Sequence, residues 1–247
     1  MRHTSPTRVL RPPVSLFVQM FEGEAFGLQA MYECTQLRFV YDDDNHNNDT
    51  KGSTRGGGCL RIPRVFHYGD YQKSRGSFIV MEYLNLGSRT DDHSLGCAVA
   101  RMHLAKPTLA SGNPTGSFGF QVDNTIGDTP QPNGWSDGGG TEQWIEFYAK
   151  RRIEHQLNLA GDSYCSNLWQ QSILPHLPKL FEDVENIRPS LLHGDLWSGN
   201  IGSADGSPSI FDPAVYWGHH EAEWGVSLLK SLRHCNRYTN RAETRVT

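Results

Sequence analysis

The 247-residue chain carries 23 basic and 27 acidic side chains, and a net charge of -4 gives no broad basic field. Non-specific binding to nucleic acid or to an anionic membrane therefore has no support, and we expect a small-molecule partner. Its mean hydropathy is -0.55, and no apolar run reaches the roughly 18 residues that a transmembrane helix needs.

Two features of the sequence bear on cellular location. Residues 1–19 hold Arg2, Arg8 and Arg11 and no acidic residue, which faintly resembles an organelle transit peptide, but the segment is short for one and a plain N-terminal coil is favoured. The five cysteines are scattered and form no C-x-x-C pair, so a reducing compartment is expected. We predict a cytoplasmic protein, with the plastid as the alternative.

The first elements predicted are a strand followed by a helix. Residues 14–18 have the pattern of a short strand, and residues 20–31 place apolar side chains at helical spacing. Residues 42–58 have almost no apolar side chain and many turn formers, so we expect a disordered insertion. Residues 77–83 (SFIVMEY) are apolar and lie between glycines, which favours a buried strand.

Helices and loops dominate the middle of the chain. A helix is predicted over residues 95–103, and residues 106–140 form a long loop rich in glycine, proline and asparagine. A second helix is predicted over residues 141–159 with Thr141 as its N-cap. A third is predicted over residues 167–184, interrupted near its two prolines.

The C-terminal third is predicted to hold the chemistry. A short strand at Leu191 leads into a polar loop, a turn follows at Asp205-Gly206, and a second strand spans residues 208–211. Asp195 and Asn200 lie five positions apart in the loop, and Asp212 ends the second strand.

These three polar residues have the spacing of a phosphoryl-transfer site. Such a site needs one carboxylate that accepts the proton of the attacking hydroxyl, and an amide and a second carboxylate that hold Mg²⁺. Single Asp and Asn residues more often cap turns, but this order favours a kinase with Asp195 as base and Asn200 and Asp212 as metal ligands. His193 is expected to support the loop as a hydrogen-bond donor and is also a candidate substrate-binding residue.

Four stretches together resemble the fructosamine and ketosamine 3-kinases. They are residues 20–25 (MFEGEA), 119–135 with VDNTIG and TPQ, 193–200 (HGDLWSGN) and 211–221 with FDPA. The resemblance implies an α+β fold of the two-lobed, protein-kinase-like type. Residues 1–84 would form an incomplete N-terminal lobe, and residues 85–247 would form a mainly helical C-terminal lobe.

The resemblance also implies an activity and further site residues. The activity would be ATP-dependent phosphorylation of the 3-hydroxyl of ketoamines, either small molecules or glycated protein lysines, with Mg²⁺ as cofactor. Glu24 would pair with the lysine that holds ATP, and Glu82, Tyr83 and Leu84 would form the adenine-binding hinge. Trp197 would stack on a sugar ring or cover a substrate amine, unless it only packs in the interior.

The sequence departs from the pattern of this family at both ends. The first glycine is Gly23 and the first lysine is Lys51, so neither a glycine-rich hairpin nor a strand lysine precedes Glu24. Residues 233–247 form a polar tail where the family has helices. We therefore expect both ends to be incomplete and the activity of the chain as written to be doubtful. The alternatives are a kinase of the aminoglycoside or choline type and a non-catalytic ketoamine-binding protein.

Overall fold

The computed structural model describes residues 16–36, 60–71, 76–87, 91–105, 113 and 116–225. The predicted insertion at 42–58 lies outside these residues. Within the described residues, none of the helices combines the length and apolar character that crossing a membrane requires. The mixture of helices and small antiparallel sheets confirms the α+β class. The division into two lobes at residue 84 stays a prediction.

The first described element is a long helix. Helix α1 (Leu16–Gln36) buries Ala25, Leu28 and Met31, which confirms the helix predicted over residues 20–31. The strand predicted over residues 14–18 is wrong for 16–18, because these residues form the first turn of α1. The predicted run of five residues is short for a strand, and good helix formers follow it. The helix therefore begins at Leu16 and includes the end of this run.

A two-stranded antiparallel sheet packs beside α1. It consists of β1 (Val65–Asp70) and β2 (Ser77–Met81), and a register shift falls between Val65 and His67. Strand β2 confirms the strand predicted from Ser77, but it ends at Met81, so Glu82 and Tyr83 belong to the segment that follows. The predicted burial is wrong, because the strand lies in a two-stranded sheet, is only half-buried and exposes Val80.

The predicted helices are present with different boundaries. Helix α2 (Asp92–Leu104) is capped by the Asp91 carboxylate, which accepts from two backbone N–H groups. Helix α3 (Thr141–Tyr148) continues through a π-helical segment (Ala149–Glu154) into α4 (His155–Ala160). The predicted N-cap at Thr141 is wrong. Gly140 occupies that position, and the Thr141 hydroxyl instead donates to the carbonyl of Val184 at 3.0 Å.

A second broken helix packs against this one. Helix α5 (Ser163–Leu168) passes through a π-helical segment (Trp169–Ile173) into a 3-10 helix (Leu174–Phe181), which contains the two prolines. The predicted interruption is confirmed, and its cause is that proline cannot donate the hydrogen bond of an α-helical turn.

Three short hairpins or strand pairs complete the fold. Strands β3 (Asn124–Ile126) and β4 (Thr129–Gln131) form a hairpin inside the predicted loop 106–140. Strand β5 (Ser190–Leu192) pairs with β8 (Tyr216–Gly218), and β6 (Ile201–Ala204) pairs with β7 (Ser207–Ile210) through the predicted turn at Asp205-Gly206.

The main core lies between α1, α2 and the β5–β8 pair. Leu28, Leu95, Leu191 and Trp217 are almost fully buried there, together with Phe118 from the segment that bridges to β8. At about 25 cal/mol per Å² of buried apolar surface, this cluster is the largest stabilising contribution in the described residues. It also fixes the ends of β5 and β8, from which the polar loops extend.

Candidate active site

A sharp turn after β5 begins the candidate site. Gly194 has a φ of 81°, and a Cβ there would lie 2.1 Å from the carbonyl oxygen of Ala214. The Ala214 N–H also donates to the carbonyl of His193 at 2.9 Å. Only glycine allows this close approach, so the loop that carries Asp195 is pressed against the segment that carries Asp212.

His193 connects the same two segments with its ring. The side chain is fully buried, and Nε2 lies 3.0 Å from the carbonyl of Phe211, which can only accept. Nε2 therefore carries the proton, and Nδ1 accepts from the N–H of Asp195 at 3.3 Å. Burial lowers the pKa of His193, which agrees with this neutral form. The ring lies behind the loop and does not line the cleft described below.

The Asn200 side chain joins the two predicted acids. Its Nδ2 donates to the carbonyl oxygen of Asp195 at 2.9 Å, to Asp195 Oδ2 at 3.2 Å and to the carbonyl oxygen of Asp212 at 3.1 Å. Asn200 is buried at the end of a 3-10 turn (Ser198–Asn200) and precedes β6 directly. The sequence spacing thus brings the three residues together in space.

The acids meet in a cleft of about 250 Å³. It lies between α1, the β3–β4 hairpin and the two polar loops. Its lining residues are Met20, Phe21, Glu24, Asn124, Thr125, Gly127, Asp128, Asp195, Asp212, Pro213 and Ala214. Among the described residues that line it, none is basic, so the cleft is an acidic one.

Charge and burial change the acidity of two of these carboxyl groups. Burial, and next the negative charge of Asp212, raise the pKa of Glu24 to about 7. Burial also raises the pKa of Asp195, although the Asn200 hydrogen bond acts in the opposite direction. Glu24 therefore faces another acid in the described part of the chain. The lysine that the family resemblance would place beside it has no counterpart in the sequence before Glu24.

The donor set fits a hard cation. Asp212 has a φ of 56°, in the left-handed region that Asp and Asn tolerate best, and its side chain is exposed at the cleft. Nδ2 of Asn200 faces the Asp195 and Asp212 acceptors, so Oδ1 is the atom of that amide left for a cation, although Asn200 is buried and does not line the cleft. An amide oxygen and carboxylate oxygens are the ligands that Mg²⁺ prefers.

Sequence reasoning missed Glu223, which holds the catalytic loop in place. Its Oε2 accepts from the N–H of His193 at 2.6 Å, and its Oε1 accepts from the N–H of Gly194 at 2.9 Å. Nε2 of His103 on α2 lies 3.2 Å from the same Oε2. Burial alone would raise the pKa of Glu223, but the hydrogen bonds from the His103 side chain and from the backbone N–H of His193 hold it below its usual value.

The remaining predicted site residues lie away from the cleft. The Glu82 carboxylate binds the Arg61 guanidinium and accepts from the N–H of Arg64 at 3.3 Å. Tyr83 is 88% exposed and Leu84 is half-buried. The hinge assignment of residues 82–84 stays a prediction.

Trp197 lies beside the loop rather than in the interior. It is 47% exposed, and its indole covers Gly199, where a Cβ would lie 2.3 Å from the ring. A purely interior packing role is therefore wrong. The ring does not line the cleft of 250 Å³, and its contact with a substrate stays a prediction.

Comparison with known proteins identifies similar sequences and folds. The sequence profile described as fructosamine kinase matches residues 52–235. The protein-ribulosamine 3-kinase, chloroplastic, of Arabidopsis thaliana is 42% identical over 213 residues, which cover 84% of this chain and 54% of that protein. The ketosamine-3-kinase of Mus musculus is 33% identical over 192 residues, which cover 69% of this chain and 60% of that protein.

A solved structure shows the same fold. The crystal structure of a candidate fructosamine-3-kinase from Thermobifida fusca aligns with a TM-score of 0.62 and 24% identity, and the alignment covers 95% of this chain and 68% of that one. The chain spans about half the length of the first curated relatives that it matches.

Proposed function

Because the chain belongs to the fructosamine kinase family, we propose that it carries the active site of an ATP-dependent kinase that phosphorylates the 3-hydroxyl of ketoamines. The observation that carries this proposal is the Asn200 amide. It donates to both Asp195 and the Asp212 carbonyl and so holds two acids at one cleft. Phosphoryl transfer depends on such positioning together with charge stabilisation.

Asp195 acts as the base in the proposed reaction. The 3-hydroxyl oxygen of the ketoamine attacks the γ-phosphorus of ATP, and the new O–P bond forms as the bond to the β,γ-bridging oxygen breaks. ADP leaves, and the hydroxyl proton passes to the Asp195 carboxylate. The raised pKa of Asp195 makes it a stronger base than an ordinary surface aspartate.

Asn200 and Asp212 would hold Mg²⁺, which supplies neutralising charge to the phosphates when it is bound. The Asn200 Nδ2 bonds fix the orientation of the amide, so that its oxygen is presented without rotation. His193 and Glu223 position the loop and remain behind it. Residues 82–84 are the proposed adenine-binding hinge, and the exposed ring of Tyr83 is available to a nucleotide base.

The names of the relatives support ketoamines as the substrate class. One is a protein-ribulosamine 3-kinase and another is a ketosamine-3-kinase. They favour glycated protein lysines or small ketoamines over aminoglycosides or choline. The phosphorylated adduct would then decompose and free the amine. The plant relatives are named chloroplastic, which favours the plastid over the cytoplasm as the location.

The test is a single-turnover assay with the chain in excess over a ketoamine made from ribose and Nα-acetyl-lysine. We expect slow Mg²⁺-dependent ADP release and a phosphate added to the ketoamine, since neither a lysine nor a glycine-rich hairpin precedes Glu24 in the sequence. Asp195→Asn should reduce the rate by on the order of 100-fold or more while nucleotide binding remains. Asp205→Asn, an exposed aspartate at a hairpin turn, is the matched control.

Two results would contradict the proposal. Equal rates in Asp195→Asn and the parent chain would remove the assignment of the base. Binding of the ketoamine without any phosphate transfer in the parent chain would favour a non-catalytic binding protein.

A further inference from the structure

The β3–β4 hairpin lies against the cleft but has no role in the reaction described above. Asn124, Thr125, Gly127 and Asp128 form one of its walls, opposite the loop that carries Asp195. The hairpin is short, with a two-residue turn at Gly127-Asp128, where Gly127 has a φ of 56°. A short turn of this kind fixes the direction of the side chains next to it.

Contacts on both sides hold the hairpin in a fixed position. The Asn124 Nδ2 donates to the carbonyl of Val215 at 2.8 Å, next to the metal-binding loop. A Cβ at Gly23 would lie 2.7 Å from the Cβ of Asn124, so the backbone of α1 touches the hairpin directly. On the outer side, Nε2 of His155 lies 2.9 Å from the carbonyl of Pro130. The wall is therefore preorganised before any ligand binds.

Two polar atoms of the hairpin are buried without a partner. Asn124 and Gln131 lie opposite each other in the register, and each is 3% exposed. Within the described residues, neither Oδ1 of Asn124 nor Nε2 of Gln131 has a hydrogen-bond partner. An unpaired buried polar atom lowers the stability of the fold by about 1–3 kcal/mol. Such an atom therefore calls for an explanation, and a hydrogen bond to a ligand is one. Of the two residues only Asn124 lines the cleft, so its Oδ1 is an unpaired acceptor at the cleft wall that suits a ligand hydroxyl.

The charge of the cleft also affects which ligands fit it. Asp128 lies at the exposed end of the hairpin, and Glu24, Asp195 and Asp212 line the rest of the cleft. No lining residue among those described is basic. A ligand that brings a positive charge and several hydroxyl groups fits this surface better than a neutral or an anionic one.

We propose that the β3–β4 hairpin is the subsite for the ketoamine substrate, in which Asp128 binds the protonated amine and the unpaired Oδ1 of Asn124 accepts a hydrogen bond from a sugar hydroxyl. This inference rests on the proposed function. The amine of a ketoamine is only a few bonds from the 3-hydroxyl, so one small cleft holds both groups. Asp128 then distinguishes a ketoamine from the free ketose, which has the same hydroxyls and no amine.

Binding can be measured by calorimetry without ATP, so that the result does not depend on phosphate transfer. The ligands are the ketoamine of ribose and Nα-acetyl-lysine, and ribulose, which lacks the amine. We expect the parent chain to bind the ketoamine more tightly. Asp128→Asn should weaken ketoamine binding by roughly fivefold to tenfold and leave ribulose binding unchanged, since one charge-assisted contact is lost.

Two further variants make the test specific. Thr125→Val removes a hydroxyl from the cleft wall at nearly constant side-chain volume. It should lower the affinity for the ketoamine and for ribulose alike, by roughly a few-fold. Asp205→Asn makes the same substitution as Asp128→Asn in the turn of the β6–β7 hairpin, away from the cleft, and should change neither affinity.

Each outcome separates this inference from the proposed function. If Asp128→Asn and Thr125→Val bind both ligands like the parent chain, or if Asp205→Asn weakens the ketoamine equally, the subsite assignment is wrong even where phosphorylation is observed. A parent chain that does not bind the ketoamine also overturns it. If the parent chain binds but never phosphorylates the ketoamine and Asp128→Asn loses the preference for the amine, the subsite stands and the kinase proposal fails.

Discussion

Glu24 offers a test of the cleft that does not depend on activity. Its pKa rises from 4.5 to about 7, because the group is buried and Asp212 is close. At about 1.4 kcal/mol per pKa unit, ionised Glu24 destabilises the native state by up to roughly 3 kcal/mol. A lysine partner of the kind found in the family would lower this pKa, but no lysine precedes Glu24 in the sequence.

The direction of the pH effect follows from proton binding. Between pH 4.5 and about 7 the native state holds a proton on Glu24 that the unfolded state has lost. The contribution of Glu24 to stability is therefore complete below pH 4.5 and is lost as the pH rises through 7. A glutamine at this position mimics the neutral acid at every pH.

Glu24→Gln should therefore become more stable than the parent chain as the pH rises. The difference in the free energy of unfolding should be near zero at pH 4.5 to 5 and reach up to roughly 3 kcal/mol at pH 8. Urea unfolding followed by tryptophan fluorescence at several pH values measures it, since the chain has six tryptophans. Glu22→Gln, on the same helix but outside the lining of the cleft, is the control and should show no such rise.

A difference that does not change with pH would show that Glu24 is not held in an acidic cleft. A Glu24→Gln variant that is less stable than the parent at pH 8 would show that Glu24 has a cationic partner. The second result would favour the lysine pairing that the family resemblance implies.

Two further substitutions test how the catalytic loop is held, with urea unfolding as the measurement for both. Gly194→Ala should lower the free energy of unfolding by roughly 3 kcal/mol or more and prevent cooperative folding. Its control is Gly206→Ala, at a φ of 78° with no atom within 4 Å of the added Cβ, which should lower it by only about 1 kcal/mol. Equal losses would mean that the loop contact is unimportant. Glu223→Gln should lower the free energy of unfolding by about 3 kcal/mol, because it removes the charge from a buried hydrogen-bonded group. Its control, Glu185→Gln at an exposed position, should change it by no more than about 0.5 kcal/mol. A Glu223→Gln effect no larger than that of the control would refute the anchoring role.

The core of the candidate site was predictable because its information is local. Asp195, Asn200 and Asp212 lie within 18 positions and are joined by strands whose apolar residues are visible in the sequence. The turn at Asp205-Gly206 closes the β6–β7 hairpin and returns the chain to Asp212. The hairpin therefore brings Asp212 close to Asp195 and Asn200, and its turn residues can be recognised in the sequence.

The β3–β4 hairpin was missed although a signal was present. Gly127-Asp128 is a two-residue turn between short runs, which is a recognised hairpin pattern. Each strand has only three residues, and Pro130 sits inside the second one. Because proline cannot donate to a strand ladder, the segment was taken as part of a long loop. Side-chain hydrogen bonds hold the hairpin and its flanks in place. Asn124 donates to the carbonyl of Val215, Asn133 donates to that of Val122, and Arg152 donates to that of Pro132.

Glu223 shows what sequence spacing could not supply. It contacts the loop 29 and 30 positions earlier in the chain, and its partner His103 is 120 positions away. The last acid of the FDPA stretch that carries the resemblance is Glu221, which is exposed. A buried acid needs partners to remain charged, and here those partners are two backbone N–H groups and one histidine from α2. Every residue except proline has a backbone N–H, so no sequence motif shows which of these groups bind Glu223. The position of such an anchor follows only from the packing of α2 against β5, which brings His103 and the loop to the same point.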